Sequence, residues 1–207
     1  MADTREQIAM TALRLFARDG YEAVSVSKIA GELGMTKGAL YRHYHSKRDI
    51  FDSIVARIFE LDRERAQAYA VPAESFADTP EPYRKTELEN LKQFTLAQYR
   101  FWTEDEFTSN LRKMLALEQY RNPEMNERYH NCIVGGPVRY MEDIFREMMA
   151  AGTLKKNDPR QLAIEYFAPL FLLIHMSDAD IGDADAERRL SEHIDRFIQN
   201  NAVRIHL

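Results

Sequence analysis

Apolar residues return every three or four positions along most of this chain, and nowhere do they alternate for long enough to form a useful strand. Ile8, Ala12, Leu15 and Phe16 mark one face of a first helix. Thr4-Arg5-Glu6-Gln7 has the pattern of a capping box before it, and Asp19-Gly20 is a stop after it. Ser25 and Ser27 are both candidate N-caps for a short helix through Ile29, Ala30 and Leu33, with Gly34 placed for a left-handed C′ residue. Thr36 caps a third short helix from Lys37 to about Tyr44. Ser46-Lys47-Arg48-Asp49 then opens a fourth with Ile50, Phe51, Ile54, Ile58 and Leu61 on its inner face. That fourth helix runs to about Tyr69, roughly 35 Å at 1.5 Å per residue.

Residues 70–82, AVPAESFADTPEP, are Pro-rich, polar and aperiodic, and read as a loop. Helical spacing resumes over Tyr83–Trp102, and Thr103-x-x-Glu106 reads as a second capping box for a helix to about Arg121. Asn122-Pro123 starts a short helix, Gly135-Gly136-Pro137 punctuates, and Val138–Ala151 ends at Gly152. Asp158-Pro159 supplies N-cap and N1 residues for a helix reaching His175, and about Ala184–Arg204 forms the last. The expected class is all-α, with about nine helices.

Composition narrows the reading. With 207 residues, 45% of them apolar, the chain has the means to bury a core. Cys132 is the only cysteine, so an intrachain disulfide, a zinc ribbon and a CxxC redox pair are all excluded. The first ten residues, MADTREQIAM, lack the basic and apolar regions of a signal peptide. The longest apolar run, 163–176, contains a glutamate and is too short to span a bilayer. These features point to a cytoplasmic protein that uses no membrane. Net charge is −5, but residues 1–50 carry eight Lys/Arg against six Asp/Glu, and Val26–Arg48 carries five cations against one acid. A local basic patch on an acidic body suits a short contact with nucleic acid.

The patch coincides with two short helices joined through Gly34-Met35. That is the arrangement of a helix-turn-helix, whose second helix presents its N-terminal side chains to base edges in the major groove. The second helix here begins Thr36-Lys37-Gly38-Ala39. Glycine is disfavoured in a helix by about 1 kcal/mol relative to alanine, and close approach to a DNA backbone is a reason for Gly38. Tyr41, Tyr44 and Lys47 have the groups to bind phosphate oxygens.

Residues 8–59 resemble the N-terminal DNA-binding region of the tetracycline-repressor (TetR/AcrR) family. LFARDGYEAVSVSKIA is followed by GMTKGALYRHYHSKRDIF, with its glycine, lysine, tyrosine and serine-lysine in the family's order. The resemblance implies that Ser25 contacts phosphate and Ser27 a base or phosphate. It also implies that Met35, Thr36, Lys37, Gly38, Tyr41, Arg42 and His43 lie on or beside the recognition helix, and that Tyr44 and Lys47 touch the backbone. Position 25 has serine where threonine is common, and position 44 has tyrosine where phenylalanine is usual. If the ring at 44 is buried, its hydroxyl needs a partner, with phosphate or water the nearest candidates.

The remaining constellations are weaker. His43 and His45 stand two apart, and such side chains point away from each other on a helix, so a metal there is not expected. DADIGDADAERRL (178–190) starts like a calcium loop with Asp178 and Asp180. It then transposes Gly182 and Asp183 and puts Arg189 where the closing glutamate belongs. No catalytic constellation and no cofactor motif stands out. The C-terminal body is rich in bulky side chains, mostly core, among which Phe94, Gln98, Trp102, Met114, Glu118, Tyr140, Tyr166 and His175 are candidates for lining an apolar ligand cavity with a few polar groups.

The expected organisation is a three-helix DNA-binding domain over 1–46 and a ligand-sensing and dimerisation domain over 47–207, with 47–69 as connecting helix. The expected partners are a near-palindromic double-stranded operator, a small apolar or amphipathic effector, and a second copy of the chain, paired through the last two long helices. The rival is an all-α enzyme or metal-binding protein with a basic docking surface.

Overall fold

The computed structural model describes residues 3–178 and 184–203. Among them are eleven α-helices, one π-helical turn and no strand. They divide into two compact units. Unit 1 comprises the chain up to Leu61 together with Asp105–Tyr129, and unit 2 comprises Asp62–Glu104 and the chain from His130 onward.

Unit 1 holds α1 (Thr4–Asp19), α2 (Val26–Glu32), α3 (Lys37–Tyr41), the first part of α4 (Lys47–Ala68), α7 (Glu106–Glu118) and α8 (Pro123–Tyr129). Its core is built from the positions the periodicity selects: Ile8, Phe16, Ile29, Leu40, Ile50, Phe51 and Ile54 are all completely buried. Each such side chain contributes roughly 1.5–3 kcal/mol through burial. The caps follow local chemistry. Ser25 Oγ accepts from the Lys28 amide at 3.2 Å, and Thr36 Oγ1 from the Ala39 amide at 3.1 Å. Ser46 Oγ accepts from the Asp49 amide at 3.0 Å, while the Asp49 carboxylate reaches back to the His45 amide at 2.9 Å. Gly34 takes a left-handed φ of 65°.

Unit 2 holds α5 (Pro80–Lys85), α6 (Leu88–Thr103), the π-helical turn His130–Val134, α9 (Gly135–Ala150), α10 (Pro159–Met176) and α11 (Ala186–Asn201). Phe145, Tyr166 and Phe197 meet at its centre, with ring centroids 5.0–5.4 Å apart. Beyond α9 the chain is tied to the end of α11: the Lys155 amide donates to Asn201 O at 2.8 Å and the Val203 amide to Thr153 O at 3.0 Å.

Several boundaries differ from expectation, each for a local reason. Asp3, not Thr4, caps α1, its carboxylate accepting from the Arg5 amide at 3.2 Å. Likewise Asp105 caps α7, while Thr103 belongs to the end of α6 and donates its hydroxyl proton to Tyr99 O. In both places an aspartate immediately before the first helical residue takes the capping role expected of the threonine. The third helix stops at Tyr41, and α7 stops at Glu118 rather than Arg121. The loop 70–82 gives its end to α5, started by Pro80, so the helix expected over Tyr83–Trp102 is broken at Thr86-Glu87. These short pieces raise the count above nine.

Gly135-Gly136-Pro137 does not interrupt the chain's helicity. The wide π turn before α9 brings the Asn131 carbonyl so close to Gly136 that a β-carbon there would run into it, and proline needs no donor at a helix start. The last helix occupies Ala186–Asn201, and Arg204, its expected end, lies outside the described residues, as do Asp180, Gly182 and Asp183 of the calcium-like stretch.

Candidate nucleic-acid interface

Most residues expected to meet DNA are exposed on α2 and α3. Ser25 and Ser27 on α2, and Thr36, Lys37, Gly38, Tyr41 and Arg42 at α3, are all exposed, while Met35 and His43 are half-buried beside them. Two tight turns fix the relation of the helices: the Met35 amide donates to Ala30 O at 3.0 Å, and the His43 amide to Leu40 O at 2.9 Å. Lys28 reaches Asp19 at 2.9 Å, which binds α2 to the end of α1. Lys37 Nζ stands 5.7 Å from the Tyr41 ring centroid, and both remain open to solvent. Among the described residues, no heavy atom beyond its chain neighbours and its own helix backbone lies within 4 Å of where a β-carbon on Gly38 would stand. Internal packing therefore does not explain that glycine.

Two members of the expected set face inward. Tyr44 is only 2% exposed. Its hydroxyl donates to Arg5 O at 3.2 Å and accepts from Ser53 Oγ at 3.1 Å, so the partner anticipated as phosphate or water is protein. The physical reason is that the chain turns after Tyr41, carrying the ring at 44 toward the core beneath the Arg5 guanidinium. Lys47 Nζ donates to Tyr21 O at 2.8 Å and to Glu22 O at 3.4 Å, and lies 4.2 Å from the Tyr21 ring centroid.

The expected ligand residues are divided between the units. Met114 and Glu118 lie on α7 in unit 1, where both are buried. The Glu118 carboxylate accepts from the Tyr21 amide at 2.9 Å, so it serves the turn between α1 and α2 rather than standing ready for a cation. Phe94, Gln98, Trp102, Tyr140, Tyr166 and His175 lie in unit 2. Tyr166 is core: its hydroxyl is paired with Thr95 Oγ1 at 2.9 Å, and burial raises its pKa. Tyr140 packs between Phe94 at 6.2 Å and Tyr83 at 5.8 Å, and its hydroxyl donates to Pro72 O at 2.9 Å. Gln98 Nε2 points to Asp62 at 3.4 Å, while its Oε1 is buried without a hydrogen-bond donor. Trp102 packs edge-on against Phe101 at 5.3 Å, and the Arg65 guanidinium lies 3.4 Å from the Phe101 ring centroid. His175 Nδ1 is 2.7 Å from Phe171 O at the end of α10.

A family model described as "Bacterial regulatory proteins, tetR family" matches residues 8–54, the span that contains this surface. A second, "AefR-like transcriptional repressor, C-terminal domain", matches residues 89–200, more than half of the chain. The protein belongs to the TetR family of transcriptional regulators.

Its TetR-family relatives are similar mainly over the helix-turn-helix. The regulator AcrR of Shigella flexneri is 42% identical over 52 residues, covering 25% of this chain and 24% of AcrR. The repressor BepR of Brucella suis biovar 1 is 41% identical over 56 residues, covering 27% of each. The chain thus spans about a quarter of the length of these relatives. Over nearly the whole chain the fold is similar to that of SmeT, the repressor of the Stenotrophomonas maltophilia multidrug efflux pump SmeDEF, with a TM-score of 0.65 at 20% identity and coverage of 98% and 92%. The SmeT–triclosan complex matches equally well, at TM-score 0.65.

Reasoning from the TetR-like motif alone missed Arg5 and Ser53, which hold Tyr44, and Tyr21, which holds Lys47. Glu118 carried a readable signal. It follows Leu111, Met114 and Leu115 at helical spacing and so shares their buried side.

Proposed function

We propose that this TetR-family protein is a cytoplasmic, ligand-responsive repressor that binds a near-palindromic operator as a homodimer and leaves it when a small apolar or amphipathic effector binds. In this reading residues 1–46 carry the DNA-contacting face and the rest senses and dimerises, with 47–69 as the connecting helix. The protein acts by binding and uses neither cofactor nor catalytic group.

The carrying observation is the exposed set at α2 and α3. Ser25 and Ser27, the Thr36-Lys37-Gly38 start of α3, and Tyr41 and Arg42 are all exposed, while Ile29, Ala30 and Leu40 of the same helices are buried in the core. Phosphate-directed groups set register, and base-directed groups at the start of the second helix specify sequence. One such helix reads few base pairs, so two half-sites about 34–36 Å apart, or a multiple, need two copies. A stripe of exposed Ile164, Ala168, Leu172 and Met176 along one face of α10 supports pairing through α10 and α11. The triclosan complex of SmeT supports an apolar effector class, which would lie among Phe94, Gln98, Trp102 and Tyr140 in unit 2. The chain of α4, unbroken from Lys47 to Ala68, is the route by which such binding would reach the recognition helix.

Selection of bound fragments from random DNA tests the reading, followed by titration of the recovered duplex at several salt concentrations. A palindromic site and a log–log slope of about −0.9 per neutralised phosphate are expected; a flat line would count against DNA binding through this surface. Effectors are then sought as compounds that change the fluorescence of Trp102, the only tryptophan. A true effector releases the duplex, and the duplex weakens it by the same factor, typically about 5- to 150-fold.

A further inference from the structure

Tyr21, in the turn between α1 and α2, is gripped by two charges from distant parts of the chain. Its amide donates to the Glu118 carboxylate of α7 at 2.9 Å. Its carbonyl accepts from Lys47 Nζ of α4 at 2.8 Å. The same ammonium reaches Glu22 O at 3.4 Å and the Glu22 carboxylate at 3.9 Å, and sits 4.2 Å from the Tyr21 ring centroid. The ring itself is wedged between Phe16 at 5.0 Å and Phe51 at 5.4 Å. The turn is shaped for this grip: Gly20 has φ 86°, and a β-carbon there would stand 2.7 Å from Glu118 Oε1. Glu118 is 2% exposed. A carboxylate buried to that degree is retained only with donors of its own, and the Tyr21 amide is one.

We propose that Lys47 and Glu118 are positioning residues for operator binding: together they clamp the Tyr21 backbone, set where α2 begins, and so place Ser25 and the helix-turn-helix surface, while Lys47 forms no ion pair with phosphate. The inference rests on the DNA-binding reading above. It departs from the motif-based role of Lys47 because two of the ammonium's donors are directed at backbone oxygens of the turn, at 2.8 and 3.4 Å, with the Glu22 carboxylate 3.9 Å away. Each grip is a charge-assisted hydrogen bond, the stronger kind. Both act on one residue, so loss of either frees the same turn.

The test compares Lys47→Met, Glu118→Met, Glu118→Gln and the double variant Lys47→Met/Glu118→Met with Lys37→Ala, all in the whole chain. The probe is the duplex selected with the wild-type protein, and affinities are corrected for active fraction. Lys47→Met keeps the stem against Tyr21 and removes the charge. Its affinity should fall about tenfold at every salt concentration, with the wild-type slope, whereas Lys37→Ala, which removes an exposed cation from the interface itself, should make the slope shallower. Glu118→Met should match Lys47→Met, and Glu118→Gln, which keeps the acceptor oxygen, should restore affinity to within about threefold of wild type. Since the two side chains hold one residue, the double variant should lose far less than about a hundredfold, the product of the single losses.

Hydrogen exchange at the Tyr21 amide supplies a readout independent of DNA. It should quicken at least about tenfold in Glu118→Met and stay slow in Glu118→Gln. A shallower salt slope in Lys47→Met would overturn the proposal by making Lys47 a phosphate contact. So would unchanged Tyr21 exchange in Glu118→Met, or additive losses in the double variant. If the wild-type protein selects no duplex, it is the function reading that fails, and with it the operator half of this proposal, while Tyr21 exchange still decides whether the clamp exists.

Discussion

The surface at α2 and α3 and the aromatic interior of unit 2 put polar groups to opposite uses. At the surface, Lys37, Tyr41 and Arg42 remain exposed on a packed scaffold, and Thr36, exposed with them, lends its hydroxyl oxygen to the Ala39 amide that starts α3. In unit 2 the hydroxyls are turned inward and taken up: Tyr166 by Thr95, Tyr140 by Pro72 O, Tyr83 by Glu74 O at 2.9 Å. The contrast teaches where function can be read from exposure. An open polar group on a rigid helix is available to a partner, whereas a buried one is evidence first of core architecture.

The largest expected difference between the regions appears at high pH. Burial pushes the Tyr83 hydroxyl up to about 12 and raises those of Tyr140 and Tyr166 as well. In unit 1 burial raises Tyr21, against an opposing pull from Arg48. An unfolded tyrosine ionises near pH 10, so above that pH the unfolded chain releases protons that native unit 2 retains. The stabilisation is fully present below about pH 10 and is lost as pH rises toward and beyond 12. Urea unfolding followed by Trp102, which lies in unit 2, should therefore shift to lower urea between pH 8 and pH 11 by more than unfolding followed by the methyl groups of Ile29 and Ile54. Equal shifts would show that the chain unfolds as one body.

A second perturbation reverses the asymmetry. Gly20→Leu places a side chain at φ 86° and against Glu118 Oε1. Strain of this kind costs about 1–3 kcal/mol, and the overlap with a buried carboxylate adds to it. Urea unfolding followed at Ile29 and Ile54 should weaken by about 3 kcal/mol, with a smaller change at Trp102. A loss under about 1 kcal/mol would mean that Glu118 withdraws easily and that the turn is not held from α7.

Exposure also explains how much of the molecule was legible in its sequence. The helix-turn-helix was readable nearly residue by residue, because its determinants are local: Ser25 and Thr36 cap the helices they precede, and Gly34 takes the left-handed turn. The inward turn of Tyr44 was not readable, since it depends on where α3 stops and on Arg5 and Ser53 being near in space. Thr4 and Thr103 misled for a different reason. A capping pattern admits neighbouring candidates one or two residues away, and the carboxylates of Asp3 and Asp105 won. The split of Met114 and Glu118 from Trp102 and Tyr140 lay beyond periodicity altogether. An apolar helix face shows that a residue is buried without showing which unit buries it.

Two tyrosine-to-phenylalanine changes sharpen the comparison at lower amplitude. Tyr166→Phe removes a buried hydrogen bond to Thr95, which retains Leu91 O at 2.8 Å. A loss of about 1 kcal/mol is expected, with operator affinity unchanged. Tyr44→Phe removes the contacts to Arg5 O and Ser53 in unit 1 and should cost somewhat less, because these contacts are only partly buried whereas the Tyr166–Thr95 pair is fully buried. Its salt slope and base preference should equal those of the wild type. A changed preference in Tyr44→Phe would return this hydroxyl to the interface.

Tyr41→Phe is the smallest expected perturbation and the most specific to the surface. Tyr41 is 40% exposed, three residues before the buried Tyr44, and among the described residues the cation over its ring is Lys37, at 5.7 Å. No core hydrogen bond is lost with its hydroxyl, so stability should stay within about 0.5 kcal/mol of wild type. If the hydroxyl donates to a backbone phosphate, its removal forfeits one hydrogen bond, about 1 kcal/mol or roughly fivefold in operator affinity. The slope against salt should not move, because a neutral donor releases no counterion. Base preference should not move either, since a phosphate contact carries no sequence information. The result to look for is thus a uniform, salt-independent loss across duplexes in a protein of unaltered stability. Equal affinity in Tyr41→Phe would remove this residue from the interface, and a loss of stability comparable to that of Tyr44→Phe would place its hydroxyl in the fold rather than on the surface.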